Sequence, residues 1–107
     1  MASIPLKRIP VFYKKVYVLL KRTPKGKVVT YKAIAEALNS KAYRAVGNAC
    51  NKNPFAPKVP CHRVVSSDGS VGGFARGKKA KKLLLKKEGI HFNGEKILNF
   101  RKKLYNF

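Results

Sequence analysis

The sequence predicts a compact, mainly helical α+β domain with a winged-helix-like helix-turn-helix core and a short strand and hairpin. Apolar residues recur at the spacing of one helix face in most segments between the Pro and Gly clusters. Two alanine-rich helical segments follow one another across a short break. Strand signals are limited to short apolar pairs and an Asn-Gly turn. The 107 residues, 45% of them hydrophobic, have the length of one domain with one core.

The charge balance points to a polyanionic partner. The chain has 25 Lys+Arg against 4 Asp+Glu, a formal net charge of +21. Nucleic acid explains such a surplus best, and a membrane surface explains it less well. The longest apolar runs, at 16–20 and 83–85, are too short to span a bilayer, and the N-terminus lacks the apolar region of a signal peptide. We therefore expect a soluble intracellular protein.

The first predicted helix runs from Val11 to about Arg22. Its apolar residues recur at helical spacing, and its lysines and arginine lie outside that face. The apolar members are Phe12, Val16, Leu19 and Leu20. Val28-Val29 is then predicted to be a short extended piece.

The predicted helix-turn-helix follows. Thr30 is a candidate N-cap for a helix through Leu38, and Ser40 for a second helix from Lys41 to about Asn51. Gly47 allows a close approach to the second helix. The side chains expected on the buried face of this helix are Ala42, Ala45, Val46 and Ala49.

The second half of the chain alternates loops with short elements. A proline-rich loop at 53–60 precedes a buried strand at Val64-Val65 and a turn at 67–70. A helix is predicted over Lys78 to Glu88, with an apolar face formed by Ala80, Leu83 and Leu84. Asn93-Gly94 predicts a hairpin, and residues 99–107 a short terminal helix.

The two cysteines, Cys50 and Cys61, can in principle form one disulfide, but a reducing compartment favours free thiols. The two Cys and two His show no finger or ribbon spacing, so no zinc site is predicted. Cys50 lies on the inner side of an Ala-rich helix, which favours a packing role.

Cys61 lies in an electropositive loop. His62 and Arg63 follow it, and Pro60 restricts the backbone before it. Cations, imidazole and hydrogen-bond donors stabilise the reactive thiolate form of cysteine. Neighbouring residues in an extended chain point to opposite sides, so Cys61 and His62 need not touch directly, and a water can link them. The alternative is that Cys61 is a small buried hydrophobe and His62 a surface residue.

The order of several segments resembles the O6-alkylguanine-DNA alkyltransferase family over about residues 11 to 90. The segments that carry this resemblance are Arg44-Ala45-Val46-Gly47, Asn53-Pro54, Pro60-Cys61-His62-Arg63-Val64, Gly69 to Phe74, Lys81, and Leu83-Leu84 to Glu88-Gly89. The resemblance implies DNA repair in which the alkyl group of O6-alkylguanine in duplex DNA moves irreversibly to Cys61, after base flipping and in a single turnover.

The resemblance also assigns the catalytic residues. Cys61, His62 and Glu88 match the family's water-bridged relay, in which the carboxylate orients the imidazole. Asn53 matches an asparagine that braces the loop before the cysteine. From the residues alone, the alternative for Glu88 is an ordinary helix-end carboxylate, although its presence as one of only four acids in the chain favours a role. Asn53 is equally an ordinary helix C-terminal residue.

A second group of matched residues implies contact with DNA. Arg44 matches the finger that enters the base stack through the minor groove, with a phosphate contact as its alternative. Tyr31 matches a tyrosine that assists flipping and hydrogen-bonds the base, with a core position as its alternative. The remaining residues assigned to DNA binding are Ala45, Gly47, Arg63 and Lys81, the last of which is otherwise a solvated lysine.

The base pocket is expected from Val64 and the loop at 72–77. Its assigned residues are Val64, Gly73, Phe74, Ala75 and Arg76. Phe74 stands where many members have tyrosine, which keeps stacking and removes a hydroxyl. Ala75 and Arg76 replace serine and glycine of some members, which changes the pocket width.

Members of the family usually have an additional N-terminal domain, but here about ten residues precede the matching segment. We therefore expect residues 1–107 to be a single catalytic and DNA-binding domain, monomeric and without metal or organic cofactor. Its expected location is the cytoplasm of a prokaryote, with the nucleoid, or a eukaryotic nucleus. One alternative is a non-catalytic lesion-binding relative; these typically replace the acceptor cysteine with tryptophan, whereas this chain has Cys61 and no tryptophan. The other is a basic packaging protein.

Overall fold

The computed structural model describes residues 9–74 and 76–107. Ala75, assigned above to the base pocket, lies outside them. The α-helices are α1 (Val11–Arg22), α2 (Tyr31–Ala37), α3 (Tyr43–Asn51), α4 (Lys78–Lys87) and α5 (Phe100–Lys103). The strands are β1 (Val29–Thr30), β2 (Val64–Val65), β3 (Phe92–Asn93) and β4 (Lys96–Ile97), and a 3-10 turn spans Cys61–Arg63. The predicted helical α+β class is confirmed.

Helix α1 has the predicted bounds and the predicted amphipathic character. It buries one face, formed by Val16, Tyr17, Leu19 and Leu20. The Tyr17 hydroxyl donates to the Ala49 carbonyl over 2.8 Å, which joins α1 to α3. Lys21 and Arg22 lie in the last turn, where cations favour the helix dipole.

The helix-turn-helix pair begins as predicted, but its second helix starts later. The Thr30 hydroxyl oxygen accepts from the Ala33 amide over 3.0 Å and caps α2. The prediction that Ser40 caps a helix from Lys41 is wrong: its hydroxyl oxygen accepts from the Ala42 amide over 2.9 Å and closes a turn. Helix α3 therefore begins at Tyr43, and Ala42 is exposed.

A two-stranded parallel sheet separates two apolar clusters. Val29 pairs with Val64 and Thr30 with Val65. Successive side chains along a strand point to opposite faces. Val29 and Val64 thus pack in the larger cluster with α1, α2 and α3, and Val65 packs in the smaller cluster on the other side. This pairing brings the start of α2 beside the segment that contains Cys61.

Helix α4 has nearly the predicted length but a different buried face. The prediction that Leu83 faces the core is wrong, since it is 57% exposed. Lys81 and Leu85 are the buried residues of the helix. Leu85 packs in the smaller cluster, and the Lys81 ammonium is surrounded by oxygen acceptors that hydropathy alone cannot reveal.

The C-terminal region contains the predicted hairpin and a shorter helix than predicted. Strands β3 and β4 are antiparallel, with Asn93 paired to Lys96. The predicted terminal helix over 99–107 covers only Phe100–Lys103, because Leu104 then forms a bridge with Val28. Within the described residues, every helix is too short or too polar to cross a membrane.

Candidate functional site

The Cys61 thiol lies at the start of the 3-10 turn and is 5% exposed. The Val59 carbonyl accepts from the Cys61 amide over 2.9 Å and from Asn53 Nδ2 over 2.7 Å. Asn53 Oδ1 in turn accepts from the Phe55 amide over 2.9 Å. One asparagine side chain therefore ties the loop that follows α3 to the backbone of the cysteine.

The buried His62 and the partly buried Arg63 and Glu88 form a polar cluster beside Cys61. His62 Nε2 lies 3.0 Å from Glu88 Oε2. Arg63 donates to the same carboxylate twice, from Nε over 2.9 Å and from Nη2 over 2.7 Å. Its Nη1 donates to the Thr23 carbonyl over 2.8 Å. The guanidinium of Arg63, assigned to DNA contact from the sequence, is thus directed into the domain with its donors engaged.

The protonation states in this cluster follow from its geometry. Burial alone raises the pKa of Glu88, but hydrogen bonds from Arg63 and His62 outweigh it and hold that pKa below its usual value. An ionised carboxylate only accepts, so Nε2 of His62 carries a proton. Burial lowers the pKa of His62, and Arg63 lowers it further against the opposing effect of Glu88. Neutral His62 therefore keeps Nδ1 as a free acceptor.

Lys81 is fully buried behind Tyr31. Its ammonium donates to the Val64 carbonyl, to the Gly73 carbonyl over 3.1 Å and to the Tyr31 hydroxyl over 3.5 Å. The Tyr31 hydroxyl donates to the same Gly73 carbonyl over 3.3 Å. Burial lowers the pKa of Lys81 to about 8, although the nearby thiols Cys50 and Cys61 raise it in part. The solvated position considered for Lys81 is therefore wrong, whereas Tyr31 is half-buried and packs against the larger apolar cluster.

The residues assigned to the base pocket occupy different environments. Val64 is fully buried, and Phe74 packs against the larger cluster. Gly73 is exposed, and its carbonyl is held by Lys81 and Tyr31. Arg76 is exposed and lines a surface cleft together with residues of α4.

Helix α3 has one cationic residue, Arg44, on its outer surface. Arg44 is exposed, and Gly47 lies three residues further on, a spacing that places both on one helix face. A Cβ added to Gly47 meets no described atom within 4 Å. Ala45 is half-buried. Sequence reasoning missed Tyr43, an exposed aromatic residue directly before Arg44.

Cys50 is buried near Cys61, and both cysteines are free, as predicted. Burial raises the pKa of Cys50 to about 12, and the proximity of Cys61 adds to the effect. In the described parts of the chain, no three His, Cys, Asp or Glu side chains are grouped to hold a metal ion.

Fold and site together define a helix-turn-helix domain that carries a buried thiol beside a histidine–glutamate pair. Residues 11–90 match the family model described as 6-O-methylguanine DNA methyltransferase, DNA binding domain. The chain belongs to this family, and the resemblance noted in the sequence is confirmed.

Curated relatives carry the name methylated-DNA–protein-cysteine methyltransferase. The one from Saccharolobus islandicus is 47% identical over 87 residues, which are 81% of this chain and 56% of the relative. The one from Methanosarcina barkeri is 49% identical over 78 residues, 72% of this chain and 49% of the relative. The chain thus spans about half the length of the curated relatives it matches.

Solved structures agree with this assignment. The O6-methylguanine-DNA methyltransferase of Pyrococcus kodakaraensis is 48% identical, with a TM-score of 0.69 over 76% of this chain and 47% of its own. S. pombe Atl1, in complex with damaged DNA containing O6-carboxymethylguanine, is 31% identical, with a TM-score of 0.78 over 94% of this chain and 99% of its own.

Proposed function

We propose that this protein repairs alkylated DNA by transferring the alkyl group of O6-alkylguanine to its own Cys61. The arrangement that carries the proposal is the buried Cys61 followed by a His62 whose Nε2 is engaged by Glu88 at 3.0 Å. A histidine oriented in this way activates an adjacent nucleophile. Family membership and the names of the relatives support the same chemistry.

The first step is formation of the thiolate. Nδ1 of neutral His62 accepts the thiol proton through a water, and Glu88 stabilises the imidazolium that forms. Because Arg63 already holds Glu88 in two hydrogen bonds, the carboxylate orients His62 and keeps its own negative charge. The thiolate then attacks the alkyl carbon in line with the C–O6 bond.

The second requirement is a proton for the departing guanine. A sulfur–carbon bond forms, the carbon–oxygen bond breaks, and its electron pair remains on the base. Tyr31 donates its hydroxyl proton to the base and recovers one from Lys81, whose pKa of about 8 makes it the better acid. Burial raises the pKa of Tyr31, which opposes a persistent tyrosinate. The thioether product is stable, so each molecule acts once.

The partner that we propose is duplex DNA containing O6-alkylguanine, bound by α3 in the minor groove. The net charge of +21 favours a polyanion, and Arg44 is exposed on the outer face of α3. Flipping the guanine costs a few kcal/mol in lost stacking, which Arg44 offsets by filling the gap. Action as a monomer and as a lone domain, and location with the nucleoid or in a nucleus, stay predictions.

Non-catalytic lesion binding is the second candidate. The observation that favours it is the similarity to S. pombe Atl1 over 94% of this chain. Against it stands Cys61, since lesion-binding relatives typically have tryptophan at the acceptor position. The two candidates share the DNA surface and differ only in whether sulfur is alkylated.

The deciding experiment uses duplex DNA with a labelled methyl group on O6 of one guanine. Wild type and Cys50→Ala should each gain one label per molecule, located on Cys61 by peptide mass spectrometry. Cys61→Ala should bind the duplex and stay unlabelled. Binding of the lesion by wild type without any label on Cys61 would refute transfer and leave lesion binding as the function.

A further inference from the structure

Tyr43 is the first residue of α3 and is 42% exposed. A single exposed aromatic side chain is common on protein surfaces and by itself means little. What distinguishes Tyr43 is its position, next to Arg44 and between two surface clefts. It therefore borders the surface proposed to contact DNA without being one of the residues assigned to it.

Tyr43 lines both clefts. The first has a volume of about 370 Å³ and is lined by Tyr31, Lys32, Tyr43, Ser66 and Ser67. The second, of about 300 Å³, is lined by Glu36, Asn39, Ser40, Lys41 and Tyr43. Tyr31 connects the first cleft to the proposed reaction centre, because its hydroxyl contacts Lys81 and the Gly73 carbonyl.

The chemistry of the first cleft matches a nucleotide. Lys32 supplies a cation, and Ser66 and Ser67 supply hydroxyl donors, the groups that bind a phosphate. The Tyr43 ring supplies a flat face on which any base can stack. The second cleft contains the Glu36 carboxylate as well as the Lys41 ammonium, so its lining has no net positive charge and suits a phosphate less well than the first cleft does. A DNA strand therefore fits the side of Tyr43 that faces Tyr31.

We propose that Tyr43 stacks on the base next to the extrahelical guanine and holds that nucleotide in the first cleft. This inference rests on the proposed function. Adjacent helix residues project about 100° apart, so Tyr43 and Arg44 reach different parts of the strand. Arg44 fills the gap left by the guanine, and Tyr43 supports the neighbouring base that loses its stacking partner. Tyr43 acts as a positioning residue and takes no part in bond making.

The test compares Tyr43→Leu and Tyr43→Trp with wild type. Loss of one stack between a base and an aromatic ring lowers the affinity for DNA by roughly tenfold, which is near the lower end of the range for such stacks. We expect Tyr43→Leu to lower the ratio of transfer from duplex DNA to transfer from free O6-methylguanine by about tenfold. Tyr43→Trp should keep the wild-type ratio. Leu98→Ala, at a residue 45% exposed outside both clefts, is the matched surface control.

Fluorescence provides a second readout that does not depend on chemistry. The chain has no tryptophan, so Tyr43→Trp introduces a unique indole. Its emission should be quenched when a lesion-containing duplex binds, because a stacked base quenches an indole. An unchanged transfer ratio in a folded Tyr43→Leu variant, or unquenched emission in the bound complex, would overturn the inference. If wild type transfers no alkyl group from either substrate, the proposed function fails, and the fluorescence still decides whether Tyr43 stacks.

Discussion

Gly47 lies in the middle of α3, where glycine is a poor choice for stability. Glycine in a helix interior costs about 0.5–1 kcal/mol relative to alanine. The fold itself has room for a side chain, because an added Cβ meets no described atom within 4 Å. Gly47 shares its helix face with Arg44, so we expect the glycine to serve the proposed contact with DNA. The substitution Gly47→Ala should therefore change stability and DNA binding in opposite directions.

The magnitudes follow from this geometry. Gly47→Ala should raise the free energy of unfolding by about 0.8 kcal/mol, because the backbone is helical and the methyl group enters open space. For a domain of this size, the thermal midpoint should rise by about 4 °C. The same methyl group keeps the helix from approaching the DNA closely and should weaken duplex binding by about fivefold, or about 1 kcal/mol.

Thermal unfolding followed by circular dichroism tests the predicted gain in stability. Fluorescence anisotropy with a labelled lesion duplex tests the predicted loss of DNA affinity. Gly94→Ala is the control, because Gly94 lies in the β3–β4 hairpin with φ at +63°. Alanine is strained there, so this control should lose stability and bind DNA as wild type does. A stabilised Gly47→Ala protein with wild-type affinity would refute the placement of Gly47 at the interface. A destabilised one would refute the open space around it.

Three further predictions concern charge. Because the pKa of Lys81 falls to about 8 from 10.5 on folding, the unfolded chain binds more protons between these values. The contribution of Lys81 to the free energy of unfolding should thus rise between pH 8 and pH 10.5, by up to about 1.4 kcal/mol per pH unit. This rise should be missing when the Lys81→Met variant is unfolded by denaturant over the same pH range. Glu88→Gln leaves the partly buried Arg63 without a counter-charge and should cost about 2–3 kcal/mol in unfolding free energy. Its alkyl transfer should be slowed, and a fully active, fully stable variant would contradict the proposed role. In wild type, the ionised Glu88 stabilises the fold at pH values above the pKa of Glu88 in the unfolded chain. This stabilisation is lost as the pH falls through the lower pKa of the folded protein, and the Glu88→Gln variant should lack this acid dependence. Finally, the affinity for duplex DNA should fall steeply as salt rises, whereas the rate of transfer from free O6-methylguanine to Cys61 should respond weakly. Equal salt dependence of the two would contradict the proposal that the positive charge serves to bind DNA phosphates.

Local patterns predicted much of the fold. Apolar spacing located α1, Thr30 marked the start of α2, and Asn93-Gly94 marked the hairpin, because each depends on residues that are close in sequence. The start of α3 was predicted too early, since a serine caps a helix or closes a turn with the same hydroxyl. Which of these Ser40 does depends on the backbone around Ala42.

The sequence by itself determined the class of fold and the family, and it predicted which thiol is the alkyl acceptor, in the Pro-Cys-His-Arg-Val segment. Only the tertiary structure decided that Lys81 is buried and that Arg63 turns inward. The physical reason is that a charged side chain can be buried only where other segments supply its partners. Lys81 donates hydrogen bonds to carbonyls of β2 and of the loop at Gly73, and Arg63 donates to Glu88 at the C-terminal end of α4. These partners lie far apart in the chain, so residue spacing carries no sign of them until the chain has folded.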